Sequence, residues 1–342
     1  MERQIFIGGC SRSGTTLLGA ILGAHADCVC PPESHFKVSV VRSCRTPDGG
    51  IDVERALRLI RIHWRFKLWG MDVDPGQAPT GSYAELLDWL VDTYARRRGI
   101  AAHVWIDHTP ENINYGSVLL ELFPQATIVH IIRDGRAVAN SILPLDWGPN
   151  TVIRAASWWQ ANVREGLALE GLLPPSQIVR VKYEDLVRAP EETVRRLCRE
   201  LDLRFEPHML QADGFRPPTY TASQHELIGM QPDPERATRW KKALTPRQVE
   251  LFESLAGGLL GQLGYRLLYG PQARPPTALE RAAAGLTELV RGDVVNGVRW
   301  FIRSYPLWVS WDFLRVLPDT WESYHKMEVE EPVDAADDGQ AG

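Results

Sequence analysis

Residues 5–16, Ile-Phe-Ile-Gly-Gly-Cys-Ser-Arg-Ser-Gly-Thr-Thr, constrain this chain more than any other stretch. A short apolar strand runs into a Gly-rich loop, and the loop runs into a helix carrying Leu17, Leu18, Ile21 and Leu22. Gly9, four residues, Gly14 and then two hydroxyl residues have the form of a loop that holds phosphate. Backbone N–H groups of such a loop, with the positive end of the following helix, cradle phosphate oxygens. The version that hydrolyses nucleoside triphosphates has Lys after the second Gly, where it reaches the β- and γ-phosphates. Here Thr15 stands at that place, and a basic residue, Arg12, comes earlier. The loop suits a phosphate but lacks the lysine expected for a triphosphate.

A second segment has the same strand-to-helix form. Residues 127–133, Thr-Ile-Val-His-Ile-Ile-Arg, read as a buried parallel strand. Arg133 ends it, Asp134-Gly135-Arg136 turn the chain, and a helix follows through Ser141. An Arg at the carboxyl end of a strand points into the crevice where open α/β sheets bind ligands. Ser141 lies eight residues on, about two helical turns, so it shares a face with the helix start. The plain alternative is an Arg–Asp surface turn.

Arg12-Ser13-Gly14-Thr15-Thr16 after the first strand resembles the 5′-phosphosulfate loop of sulfotransferases, and Arg133 with Ser141 resembles their 3′-phosphate motif. The similarity is to the bacterial and tyrosylprotein-like branch. The resemblance implies an enzyme that moves a sulfuryl group from 3′-phosphoadenosine 5′-phosphosulfate (PAPS) to an acceptor, leaving 3′-phosphoadenosine 5′-phosphate (PAP). Two further segments extend it. Tyr183-Glu184-Asp185-Leu186 matches a segment common in the family, and the match implies that Tyr183 contacts the nucleotide. Glu184 and Asp185 read as braces of the loop. Arg239-Trp240-Lys241 looks like the segment that closes over the nucleotide, with Trp240 packing an edge and Arg239 or Lys241 reaching phosphate. A solvated basic helix start is the alternative there. The four segments together run from Ile5 to about Tyr265.

Sulfuryl transfer needs a nucleophile in line with sulfur, a base for its proton and positive groups on the leaving oxygen. The candidate base is Glu33 in Pro31-Pro32-Glu33-Ser34-His35, by resemblance to the branch that uses a Glu after the first helix. His35 is the rival base, since its pKa suits the task; a structural role for Glu33 as a helix cap is the third reading. At Asp107-His108-Thr109-Pro110 the family often has Lys before Thr-Pro, taken to stabilise the transferring oxygens. His108 replaces it, which puts that part of the machinery in doubt and admits a pH-dependent rate, or else a His packed under the loop. The motifs call for no metal.

The chain has 342 residues with 44% hydrophobic content, ample for one large domain. Strands alternating with helices predict an α/β, three-layer P-loop-like fold with a central parallel sheet flanked by helices, plus a C-terminal helical extension. The expected divisions are 1–270 for the α/β domain, 271–328 for the extension and 329–342 for a disordered acidic tail. Helices are expected over 14–24, 52–69, 82–98, 112–123, 135–143, 152–172 and 190–202, with strands near 4–8, 103–107 and 177–183 and a loop over the site at 28–50. The net charge of −5, with Lys and Arg dispersed, argues against nucleic-acid binding. Five cysteines without paired zinc spacing suit a reducing compartment. No signal peptide or long apolar run is visible, so a cytoplasmic, bacterial enzyme is expected.

The acceptor is where the sequence stops informing. Aromatic residues at 34–100 and 144–165 suit a small molecule, a carbohydrate or a lipid equally. The apolar segment 277–325 reads as a helical pair that docks on the domain, forms a homodimer face or touches a membrane surface. Two other functions stay open: a P-loop kinase or NTPase, which the missing Lys disfavours, and a nucleotide-binding protein without catalysis, which only His108 supports.

Overall fold

The computed structural model describes residues 1–215 and 233–299. Among them the chain runs β1 (Arg3–Gly8), α1 (Thr15–Gly23), β2 (Cys28–Val29), α2 (Phe36–Cys44), α3 (Val53–Ile62), α4 (Trp64–Lys67) and α5 (Tyr83–Arg97). Then come β3 (Val104–Asp107), α6 (Gly116–Leu122), β4 (Thr127–Ile132), α7 (Gly135–Ile142), α8 (Val152–Leu172) and β5 (Ile178–Lys182). The chain continues through α9 (Tyr183–Arg188), α10 (Pro190–Glu200), α11 (Trp240–Ala243), α12 (Pro246–Gln262) and α13 (Ala278–Thr287), which a wider π-type helix over Glu288–Asn296 extends.

All strand pairs are parallel, in the order β2-β3-β1-β4-β5. From β1 the chain crosses to the edge at β2, comes back inward to β3 beside β1, then crosses to β4 on the other side. Strand order therefore reverses beside β1, and the crevice at its carboxyl end is where such sheets take ligands. The loop of residues 9–14 opens there.

Both sheet faces are covered, so the central strands are apolar throughout. Alternate residues serve opposite faces. Ile5, Ile7, Val129 and Ile131 pack with Leu18 and Ile21 of α1 and Leu186 of α9. Phe6 and Trp105 pack on the other side with Phe36 and Val40 of α2 and Leu86 and Leu90 of α5. Ile132 joins a third cluster with Val138, Trp159 and Phe252.

The expected α/β architecture with a parallel sheet is present, and the 152–172 helix has the expected bounds. Elsewhere tertiary contacts redraw local expectations. The stretch 28–50 is not a continuous loop: it holds edge strand β2 and helix α2. Residues Phe36, Val40, Val41 and Cys44 form one buried stripe, and packing against α3 outweighs the weak helix propensity of Ser and Cys. The single helix expected over 52–69 breaks at His63, whose ring Nδ1 accepts the Arg65 N–H at 3.2 Å and caps α4. The helix expected over 112–123 splits into a tight 3₁₀ turn at Pro110–Ile113 and α6. Pro190 similarly divides α9 from α10, because the residue before a proline avoids the helical region; Ala189 sits at φ −133°, ψ 64°. The expectations for residues 300–328 and for the tail at 329–342 lie outside the described residues.

Candidate active site

The loop after β1 departs from ordinary backbone at three places, the first being Gly9 at φ 157°. Arg12 adopts φ 71° and Gly14 φ 104°. A side chain at Gly14 would be strained by that φ, and its Cβ would lie 2.5 Å from Cδ2 of Tyr183. Arg12 tolerates a left-handed conformation that costs a non-glycine residue about 1–3 kcal/mol and clusters at functional sites. No side chain caps the start of α1, so its first N–H groups face the loop. Ser13 is fully buried, and its Oγ has no hydrogen-bond partner. Thr15 and Thr16 open the helix, both buried. A buried hydroxyl without a partner beside an uncapped helix start is the arrangement that an anion completes.

Three arginines meet next to this loop. Arg133, at the end of β4, donates from Nη1 to the Arg12 carbonyl at 2.8 Å and from Nη2 to the Arg236 carbonyl at 3.0 Å. Its Nε is buried without a partner. The guanidinium lies over the Tyr183 ring, 4.2 Å from the centroid. Arg12 donates from Nε to Ser141 Oγ at 3.1 Å. Burial, then the neighbouring Arg133, pull the Arg12 pKa down to about 10. Burial also lowers that of Arg133. Like charges crowded in a desolvated place gain from a bound anion. Arg133 and Ser141 are thus brought to one place, with Arg12 between them.

The surroundings hold this cluster without entering it. Asp134 caps α7 by accepting the Arg136 N–H at 2.9 Å. Arg136 is buried, donates to Asp134 at 2.7 Å and to Glu253 at 2.5 Å, and stacks on Trp240 at 4.1 Å. Glu184 accepts the Asp134 N–H at 3.0 Å and the Tyr265 hydroxyl at 3.0 Å. It is the brace expected of it.

The closing segment is placed differently from its sequence expectation. Trp240 is buried with Ala137, Leu244 and Val249, beneath Arg136. Arg239 is largely exposed near Asp233 at 3.9 Å, and Lys241 is exposed. Arg236, which sequence reasoning passed over, is the basic residue of this segment whose backbone meets Arg133.

Glu33 follows β2. Its carboxylate lies 3.0 Å from His35 Nε2 and accepts from Arg65 Nη1 at 3.1 Å. Burial works to raise its pKa, but the His35 hydrogen bond and the Arg65 charge outweigh burial and hold it well below the usual carboxylate range. His35 Nδ1 faces Glu111 at 3.4 Å, so the ring lies between two carboxylates. Arg65, on α4, also covers the Trp64 ring at 4.1 Å. No local pattern marks Arg65; only the break at His63 turns it toward Glu33.

His108 is fully buried. Its Nδ1 lies 3.3 Å from Cys30 Sγ, and its ring packs against Phe215 at 4.5 Å. Burial lowers its pKa despite Glu33 and Asp107 nearby, so the ring is neutral near pH 7. The adjacent buried cation is Lys37, on α2, paired with Asp107 at 3.2 Å. Asp107 also accepts from the Ser34 hydroxyl, from the Thr109 N–H at 2.9 Å and from Asn112 Nδ2 at 2.8 Å. Burial opposes this, but Lys37 first and then these hydrogen bonds keep the Asp107 carboxyl well below its usual range. A Lys among the buried, otherwise apolar positions of α2 is the sequence signal for this pair.

Comparison with known proteins gives the family and the fold. Residues 4–207 match the model of the sulfotransferase family. The chain is 28% identical over 238 residues to a putative protein-tyrosine sulfotransferase of Caenorhabditis briggsae, covering 68% of this chain and 72% of that protein. It is 26% identical over 317 residues to protein-tyrosine sulfotransferase A of Caenorhabditis elegans, covering 88% of this chain and 76% of that one. Among solved structures, the sulfotransferase domain of the Synechococcus PCC 7002 olefin synthase superposes with TM-score 0.53 at 25% identity, over 78% of this chain and 95% of that domain. The sulfotransferase domain of the curacin biosynthetic pathway shares the fold, with TM-score 0.53 at 20% identity over 78% of this chain and 99% of its own length. The match to the family model covers more than half of the chain, and with it the fold agrees: this chain belongs to the sulfotransferase family.

Proposed function

We propose that the chain transfers the sulfuryl group of PAPS to a hydroxyl or amine acceptor, with Glu33 as the base. The observation that carries the reading is the cluster of Arg12, Arg133 and Ser141 beside the uncapped, partner-seeking loop at Ser13. Residues 12–16 would hold the 5′-phosphosulfate through backbone N–H groups and hydroxyls. Arg133 and Ser141 would hold the 3′-phosphate, with Tyr183 supporting the Arg133 plane. The donor supplies an activated sulfuryl group on a good leaving phosphate.

Glu33 is ionised throughout the neutral range and accepts the acceptor's proton as its oxygen or nitrogen bonds to sulfur. The sulfur–oxygen bond to the phosphate breaks at the same centre, and PAP leaves. Arg12 and the α1 N-terminus face the charge that gathers on the leaving phosphate. His108, buried and neutral, positions the loop at 107–110 and supplies no charge; Lys37 is the cation on that side. A second reading rests on His35 between Glu33 and Glu111: the ring takes the proton while the carboxylates orient it.

Calorimetric titration with PAP, run beside ATP with Mg²⁺, tests the donor. Binding of PAP that disappears in Arg133→Ala supports the reading. Preference for ATP turns it toward phosphoryl transfer. A chain that binds PAP yet forms no PAP from PAPS with any acceptor would be a binding protein.

A further inference from the structure

The C-terminal helix sits on the domain with its faces reversed. Its polar edge is docked. Glu280 pairs with Arg247 at 2.8 Å. Glu288 accepts the N–H groups of Asn150 at 3.0 Å and Thr151 at 2.8 Å, closing over the start of α8. Arg291 donates to the Leu143 carbonyl at 3.0 Å, and Asn296 to Asn150 Oδ1 at 2.8 Å. On the other side Leu279, Leu286, Leu289, Val290, Val294 and Val298 are 49–80% exposed. A surface helix ordinarily buries its apolar stripe and wets its polar one. Here the polar contacts fix the helix with its apolar stripe outward.

We propose that this stripe lies on a lipid bilayer surface, with the helix parallel to the membrane plane. A stable protein dimer covers about 800 Å² on each partner. A stripe one helix wide and about 30 Å long offers only part of that, but it is the shape an interfacial helix needs. Directly after it the sequence carries Trp300, Phe301, Arg303, Tyr305, Trp308 and Trp311. Aromatic rings interspersed with Arg are the composition of the membrane–water boundary. No helix among the described residues is long and apolar enough to cross a membrane. A helix docked along one side with only the other side apolar and exposed lies on a bilayer surface. It delivers the domain to a surface and is independent of the donor and of the base.

The test is co-sedimentation of the full chain with vesicles of phosphatidylcholine and phosphatidylglycerol, beside a variant carrying Leu286→Glu, Val290→Glu and Val294→Glu. All three positions are exposed, so the variant should melt like the parent. The parent should pellet with vesicles, and the variant's partitioning should fall at least about tenfold. A parent that stays in the supernatant, or a variant that pellets equally, overturns the proposal. A dimer seen at sedimentation equilibrium that the three substitutions dissolve, without vesicle binding, overturns it in favour of a second copy.

Discussion

Arg12 Nε donates to Ser141 Oγ across 3.1 Å, joining the loop after β1 to the helix after β4. The two residues are 129 positions apart in sequence. One bond thus couples the two segments that the sequence motifs assign to opposite ends of one nucleotide.

That coupling predicts a graded loss of PAP affinity. Arg133→Ala removes a buried charged donor and the contact to the Arg12 carbonyl. Charged hydrogen bonds are worth about 1.5–3 kcal/mol each, so the dissociation constant should rise about 10- to 100-fold or more. Ser141→Ala should cost about tenfold or less. Calorimetry of both variants checks the order; equal, negligible losses would remove the 3′-phosphate site from this cluster.

Gly14→Ala should damage the loop out of proportion to one methyl group. The φ of 104° strains any side chain, and the new Cβ meets Tyr183 at 2.5 Å. A stability loss of about 1–3 kcal/mol is expected, with PAP binding lost at temperatures where the variant stays folded. Tyr183→Leu in the same background relieves the contact but not the backbone, so it should restore little. Thermal melting and titration measure both.

Glu33→Gln should leave PAP binding within a few-fold of the parent and lower kcat about 10²- to 10⁴-fold. If His35 carries the proton instead, His35→Gln gives the larger fall and Glu33→Gln the smaller.

The pH profile should respond to Arg65. Glu33 is held ionised by His35 and Arg65, so in the parent its protonation limits rate only well below the usual carboxylate pKa. Arg65→Met removes a positive neighbour, which favours the neutral acid. The acid limb of kcat against pH should therefore move upward. An unchanged limb would separate Arg65 from the basicity of Glu33.

Lys37→Met should destabilise the fold by about 3–5 kcal/mol, because it leaves Asp107 buried without its cation. Asp107 has a folded-state pKa below its unfolded one. Its stability contribution is therefore complete above the unfolded value and is lost as pH falls through the folded one. In the variant the folded-state pKa moves up toward the unfolded one, so the window narrows and the acid-linked loss of stability becomes smaller than in the parent. Denaturant melts across an acidic series check the shift.

The sequence alone determined the parts of this protein that are local. The apolar run, the Gly-x₄-Gly loop and the hydroxyl residues after it occupy consecutive positions, and so do Arg133 and the helix to Ser141. Their geometry follows from strand, turn and helix rules. The parallel sheet, the long helix at 152–172 and the family were legible for the same reason. Only the tertiary structure decided which side chains meet. Arg65 reaches Glu33 because a capping His63 breaks a helix; Lys37 pairs with Asp107 across 70 residues. Trp240, read as a nucleotide contact, is buried under Arg136, and Arg236 meets Arg133 from its own segment instead. Such pairings depend on packing and desolvation between distant segments, which no residue spacing encodes.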